Sequence, residues 1–360
     1  MKAMVCTEPG KYSVEDVTLD PPKAGEIRVK MGATGVCHSD LSVITGVLPL
    51  PPPVVLGHEG AGVVDELGEG VTGLEVGDHV VLSFVPCCGT CNNCRHQRPV
   101  FCTAGVPDGK MLDGTYRVHL DGKDIGTMQF LGCMAEACIV PATAAVKIDK
   151  SLPFDKASLV GCGVMTGVGA AINTAQVTPG SSCVVYGCGG VGLSIIQGCR
   201  LAGADRIIAV DVLDNKLEMS KQFGATDVVN GSDGTAVMKI MEMTGGGADY
   251  AFEAVGVPAL MEATYASVRS GGTAVLVGAG PLTESFSLNA LLGSLSGKTL
   301  KGSMYGDANP HADFPRLLSL YKQGKLDLDA MVSKTYSIDD APQAFVDMEK
   351  GINARGVIVY

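Results

Sequence analysis

Positive charge is scarce in this chain: 27 lysines and arginines face 38 aspartates and glutamates, for a net charge of −11. A nucleic-acid surface needs a basic face to displace phosphate counterions, so this balance argues against a nucleic-acid partner. Long apolar runs are missing too. No segment reaches the ~18 uninterrupted apolar residues of a membrane-crossing helix. The opening Met1-Lys2-Ala3-Met4-Val5-Cys6 has no apolar run of signal-peptide length. We therefore expect no membrane partner and a cytoplasmic location. Internal sequence repeats are also lacking.

What is present suits a globular protein of two domains. The chain has 360 residues, 46% of them hydrophobic and 18% charged, enough for two separate cores. Its 48 glycines fit repeated tight turns and close approach of backbone to a phosphate-bearing ligand. Thirteen cysteines could form a disulfide framework in a small secreted protein. Here four cluster at metal spacing in a long chain, which favours metal binding in a reducing compartment.

Residues 1 to about 35 read as β-structure, with Val14, Val17 and Leu19 spaced by polar residues and period-two alternation through Ile27-Arg28-Val29-Lys30-Met31. A second β-rich run covers 61–85, where His79 reads as a structural residue at a strand start. Residues 103–135 are polar and glycine-rich, with Asp108-Gly109, Asp113-Gly114 and Asp121-Gly122, and read as a long surface excursion. Beyond Pro153 the pattern changes. A helix is expected over 162–173, a strand at 182–186, a helix to about Leu201 and a strand at 206–211. Helix 214–223, strand 227–229, a helix near 235–243 and strands at 248–253 and 274–278 follow. Such alternation predicts a parallel, doubly wound α/β sheet. The tail adds an amphipathic helix near 313–323 and a final strand at 356–360.

Three clusters carry chemistry. The first is Cys37-His38-Ser39-Asp40 with Gly57-His58-Glu59-Gly60, which needs one more soft ligand to close a metal site; Cys162, in Gly161-Cys162-Gly163, is the candidate. Two sulfurs, one histidine nitrogen and an open position hold a catalytic zinc. The second starts at Cys88 and runs C-x2-C-x2-C-x7-C through Cys91, Cys94 and Cys102. Four thiolates this close can wrap a tetrahedral zinc with no open position, a structural site. Cys87 offers a competing C-x3-C start, and His96 inside the lobe reads as exposed.

The third cluster is Gly187-Cys188-Gly189-Gly190-Val191-Gly192, which follows an apolar strand, opens a helix and precedes the acidic Asp211. In that setting it is a dinucleotide fingerprint. Gly187 allows the turn, Gly189 lets the pyrophosphate approach, and Gly192 permits close helix–strand packing. Asp211 suits the adenosine ribose hydroxyls and would repel a 2′-phosphate, favouring NAD over NADP.

Together these motifs make the chain resemble, over essentially its whole length, the zinc-dependent alcohol dehydrogenases of the medium-chain dehydrogenase/reductase superfamily. The resemblance implies a β-rich GroES-like catalytic domain over 1–165 and 305–360 and an NAD-binding Rossmann domain over 166–304. It implies two Zn2+ per chain: one on Cys37, His58 and Cys162 with water or alkoxide fourth, and one on Cys88, Cys91, Cys94 and Cys102, whose spacing matches the family better than a start at Cys87. Glu59 would lie behind the metal, Asp40 would fix the zinc-bound histidine, and Ser39 would accept the alcohol proton. Thr166 would flank the nicotinamide, Lys216 and Arg355 would meet the adenosine ribose and pyrophosphate, and His38 the pyrophosphate. Gly190 and Val191 complete the cofactor turn. Leu48, Phe84, Phe130, Leu131, Ala279 and Met304 fall at substrate positions, an apolar lining suited to a hydrophobic primary alcohol, aliphatic or aromatic. The implied reaction is hydride transfer from the zinc alkoxide to C4 of NAD+, and its reverse.

One position departs from many relatives: where a histidine ends the proton relay, this chain has Ser42. Two other readings stand beside the alcohol dehydrogenase: a thiol-dependent formaldehyde dehydrogenase, and a non-catalytic zinc-binding homologue. Some bacterial relatives also keep their nicotinamide tightly bound and use an artificial electron acceptor. Family members dimerise through 274–277 and the segment around 285–300, so a homodimer or homotetramer is expected.

Overall fold

The computed structural model describes residues 1–360 and divides into two units. The first comprises Met1–Cys162, Asn309–Lys322 and Leu328–Tyr360; the second comprises Gly163–Ala308 and Gln323–Asp327. The borders lie a few residues from those expected. The return of Gln323–Asp327 to the second unit is announced by nothing in the sequence pattern.

The first unit is built on two sheets. One runs in the order Lys11–Asp16, Lys2–Glu8, Val54–Val55, Lys123–Thr127, Val118–Leu120, Thr18–Leu19. The other runs Ala145–Lys147, His79–Leu82, Gly60–Leu67, Glu26–Gly35, Arg355–Val359, Val332–Tyr336, with Ala137–Pro141 also paired to Glu26–Gly35. The period-two pattern explains the central strand: Ile27, Val29, Met31 and Ala33 are buried, and the first three pack with Val64, Val80, Leu82 and Val140. The last strand pairs antiparallel with Glu26–Gly35, Val357 opposite Gly35. The chain's end is thereby part of its beginning.

Residues 103–135 differ from the expected surface excursion. Val118–Leu120 and Lys123–Thr127 form an antiparallel hairpin whose turn residues, Asp121 and Gly122, have φ of 51° and 73°. Two successive positive φ values are what a tight hairpin turn requires, and Asp-Gly is a preferred pair for it. The dipeptide marks a strand reversal rather than a loop. Val118 and Ile125 are buried, and the neighbouring Arg117, also buried, makes two hydrogen bonds to Glu26 at 2.6 and 2.8 Å.

The second unit is a six-stranded, wholly parallel sheet in the order Asp227–Asn230, Arg206–Asp211, Ser182–Tyr186, Ala248–Glu253, Val268–Leu276, Thr299–Gly302. Val184, Ile208, Ala251 and Ala274 are fully buried, as strands covered on both faces demand. Two expectations shift. The helix expected over 162–173 is α-helical only for Gly163–Gly169 and continues as a π-turn over Ala170–Ala175, ended by Gln176 at φ 57°. The strand expected at 274–278 begins earlier and spans Val268–Leu276. No single helix is long and apolar enough to cross a membrane.

Candidate metal and dinucleotide sites

Cys37 stands in extended backbone (φ −129°, ψ 151°) directly before the helix His38–Ile44. His58 and Glu59 lie between Val54–Val55 and Gly60–Leu67, and Cys162 follows the 3-10 turn Ser158–Gly161. The fold draws these separate segments together. One ligand atom each from Cys37, His58, Glu59 and Cys162 lies within 4.8 Å of the others, and all four residues are buried.

Asp40 orients the histidine. Its Oδ1 accepts the Gly57 N–H at 2.8 Å and faces His58 Nδ1 at 3.3 Å. Gly57 is obligatory, because its φ is 97° and a Cβ there would lie 2.2 Å from Met134 N. With Nδ1 engaged, the other ring nitrogen, His58 Nε2, is buried without a partner. Such an orphan costs about 1–3 kcal/mol. An unsatisfied imidazole nitrogen beside two thiols is a donor set for a soft divalent cation, so these residues fit zinc.

A hydrogen bond from Cys162 and the nearby His58 hold the Cys37 thiol well below its usual range. The same contact, with burial, pushes Cys162 up. Burial pushes Glu59 up to about 7 against the pull of Arg355. Arg355 itself is buried, with Nη2 donating to Glu59 Oε2 and, at 3.1 Å, to Val36 O. This guanidinium, expected at the pyrophosphate, pairs here with the carboxylate beside the metal ligands. Ser39 Oγ lies 3.8 Å from Cys37 Sγ, and His38 is exposed beside it. Phe84 sets its ring edge-on to His58, with centroids 5.8 Å apart.

In the lobe, Cys88, Cys91, Cys94 and Cys102 place their sulfurs within 4.8 Å of one another. Backbone N–H groups point at them: Cys91 to Cys88 Sγ at 3.3 Å, Cys94 to Cys91 Sγ at 3.5 Å and Cys88 to Cys102 Sγ at 3.4 Å. Donation from Thr90 and the Cys91 backbone brings Cys88 down to about 7, and donation from the Cys94 and Thr103 backbones brings Cys91 to about 6. Thiolates are the metal-binding form. Burial also pushes Cys94 up to about 12 and raises Cys102. Cys87, likewise pushed up to about 12, is outside the set by position, its Sγ lying 3.4 Å from Val85 O. His96 is exposed.

In the second unit the glycine motif links Ser182–Tyr186 to the helix Gly190–Leu201. Gly187 has φ 91°, and a Cβ on Gly192 would lie 1.7 Å from Gly187 O. Around Gly189 a Cβ would meet nothing within 4 Å. The turn is closed where it packs and open where a pyrophosphate would enter, so it fits a dinucleotide. Asp211 buttresses it: Oδ2 accepts Cys188 N–H at 2.8 Å, while Oδ1 accepts Val212 and Leu213 N–H at 2.8 and 3.1 Å. Gly190, Val191, Thr166 and Lys216 are partly exposed.

The residues expected to line the substrate pocket divide. Leu48 and Phe84 are half-buried, Phe130 is buried, and Ala279 and Met304 are exposed. Leu131 is a correction: it is fully buried and packs with Leu82, Cys133 and Val140 in the core of the first unit, so it lines no open pocket. An apolar residue gives the same sequence signal in a core as in a pocket. The pairing of Arg355 with Glu59 had no sequence signal, since the two lie far apart in the chain. Glu253 was also missed, although an acid closing an apolar strand repeats the pattern of Asp211.

A zinc cradle on one unit and a dinucleotide turn on the other define a class of metal-dependent oxidoreductase. Residues 23–150 match the alcohol dehydrogenase GroES-like domain and residues 190–323 the zinc-binding dehydrogenase domain. The NDMA-dependent alcohol dehydrogenase of Amycolatopsis methanolica is 42% identical over 366 residues, covering 100% of this chain and 98% of that protein. Among solved structures, an alcohol dehydrogenase zinc-binding domain protein from Burkholderia ambifaria matches at TM-score 0.95 and 35% identity, over 99% of this chain and 98% of that one. The benzyl alcohol dehydrogenase of Acinetobacter calcoaceticus matches at TM-score 0.94 and 35% identity, with the same coverage. The chain belongs to the zinc-dependent alcohol dehydrogenases of the medium-chain dehydrogenase/reductase superfamily.

Proposed function

We propose that this alcohol dehydrogenase oxidises a hydrophobic primary alcohol to its aldehyde, and reduces the aldehyde, with NAD as hydride carrier. The observation that carries the reading is the orphaned His58 Nε2 beside Cys37 and Cys162. Bound zinc supplies Lewis acidity that makes the alcohol a stronger acid. The chain's own groups do the rest. Asp40 holds the His58 ring, Ser39 takes the alcohol proton and releases it toward solvent, and Phe84 shields the ligand cluster from water. Asp211 at the turn favours a dinucleotide with a free 2′-hydroxyl. The benzyl alcohol dehydrogenase among the structural neighbours supports an aromatic or similarly apolar substrate.

A second reading concerns turnover. The 42% identical relative is named NDMA-dependent, which favours a nicotinamide that stays on the protein and passes its electrons to an added acceptor. One experiment addresses both. Benzyl alcohol is added to purified protein with and without NAD+, and reduced nicotinamide is followed by absorbance in the free and the protein fractions. Free NADH accumulating with added NAD+ supports exchangeable cofactor. A single burst that stays with the protein and recycles only with NDMA supports the second reading. No reduced nicotinamide in either fraction, across a panel of apolar alcohols, rejects the NAD proposal.

We also propose self-association through the second unit. The helix Ala290–Leu295 exposes Leu291, Leu292 and Leu295, next to the sheet's edge strand Thr299–Gly302. An apolar face beside an unpaired edge suits a second copy of the chain.

A further inference from the structure

Glu253 closes the strand Ala248–Glu253 and is wholly buried. Its Oε1 accepts three successive backbone N–H groups: Val255 at 2.9 Å, Gly256 at 2.7 Å and Val257 at 3.4 Å. Its Oε2 is buried and has no partner. Successive N–H groups converging on one point form a nest for an anion, and here the occupant is the chain's own carboxyl. Burial pushes that carboxyl up, and the N–H donors pull the other way.

The loop gathered in this way is packed on two sides. Val255 Cγ2 lies 2.4 Å from where a Cβ on Gly187 would stand, so the loop rests against the first glycine of the phosphate turn. A Cβ on Gly256 would lie 2.5 Å from Ala279 O, and one on Gly278 would lie 2.2 Å from Gly256 N and 2.7 Å from Glu253 Oε2. One carboxyl therefore sits where the loops 254–257 and 277–280 meet. Each of those loops leaves the carboxyl end of one of two neighbouring parallel strands.

Ligands of open α/β sheets lie outside the carboxyl ends of the strands, across the point where the winding reverses. In the strand order, Asp211 ends the strand on one side of the glycine turn and Glu253 ends the strand on the other. Asp211 faces the adenosine half of a dinucleotide, which leaves the Glu253 loop to the half bearing the reactive ring. We propose that Glu253 is a positioning residue, filling the nest of Val255–Val257 to fix the wall against which the non-adenosine half of the dinucleotide rests. This rests on the NAD reading above.

Two variants test it. Glu253→Asp keeps the charge but withdraws the carboxyl from the nest; Glu253→Gln keeps the length and the carbonyl acceptor. Dissociation constants for NAD+ and for AMP are measured on wild type and both variants after removal of any co-purifying nucleotide. Expected are NAD+ binding weakened on the order of tenfold in Glu253→Asp, AMP binding unchanged, and NAD+ affinity retained in Glu253→Gln. NAD+ and AMP weakened alike, NAD+ unaffected by Asp, or Gln as weak as Asp each overturns the proposal. If Glu253→Asp does not fold, Glu253→Gln decides alone: loss of NAD+ affinity with AMP intact overturns the acceptor role, and retention supports it. A wild type that binds neither ligand overturns the NAD reading, and this proposal with it.

Discussion

Arg355, near the end of the chain, donates to Glu59, the residue that follows the metal-site histidine, and both side chains are buried. Breaking a buried pair by removing one partner leaves an uncompensated charge and costs about 3–5 kcal/mol. We expect Arg355→Leu to lower unfolding stability by roughly that amount in urea titrations, and the double variant with Glu59→Gln to recover much of the loss. A Leu variant as stable as wild type would show that the pair is dispensable.

Asp40 acts on the metal through His58. Partners that orient a ligating histidine typically contribute 10–100-fold in metal affinity, so Asp40→Asn is expected to weaken zinc binding at the cradle by about that factor. Competition with a chromophoric chelator measures it, with the four-cysteine lobe as internal control. Unchanged release from both sites would remove Asp40 from this role.

The lobe makes a count. Cys94→Ser should reduce bound zinc from two to one per chain, while Cys87→Ser should leave it at two, because only Cys94 belongs to the sulfur cluster. Elemental analysis of the purified proteins reads this directly. Loss of zinc on replacing Cys87 would mean that the ligand set starts one residue earlier.

For the exposed leucines, Leu291→Glu combined with Leu295→Glu places charge on the apolar face of Ala290–Leu295. Light scattering should then report a monomer for the variant and a dimer or larger assembly for wild type. An assembly of undiminished size would put the interface elsewhere.

Acid stability has a named contributor in the tail. Hydrogen bonds from Lys334, Tyr336 and Gln343 hold the Asp347 carboxyl well below the usual carboxylate range. A depressed folded pKa stabilises above the unfolded value of about 3.9, and that contribution fades as pH falls through it toward the folded value. Asp347→Asn should therefore flatten the decline of the urea midpoint between about pH 4 and pH 2. An identical slope in the variant would assign the acid sensitivity to other carboxylates.

Local signals in the sequence were legible where one residue type has one physical use. Gly187 is required by its φ and Gly192 by clearance, while Gly189 leaves open the approach that a pyrophosphate would use. The central strands Ser182–Tyr186 and Arg206–Asp211 were readable because burial on both faces makes them nearly continuous apolar runs, whereas the exposed edge strand Thr299–Gly302 gave no such signal. Signals with two uses misled: Asp121-Gly122 is as good a hairpin turn as a loop, and Leu131 is as good in a core as in a pocket. Contacts between distant segments left no trace. Arg355 and Glu59, or Glu253 with its ring of N–H groups, become visible only once the strands are in register.

The last strand has a consequence for how the protein is assembled. The four cysteines of the lobe all lie between Cys88 and Cys102, so one short stretch of chain carries that whole site. The cradle of Cys37, His58 and Cys162 draws on segments far apart, and the buried partner of Glu59 beside it is Arg355, in the strand Arg355–Val359. A chain that stops before Arg355 therefore carries every cysteine of the lobe but lacks the guanidinium with which the cradle's carboxylate pairs.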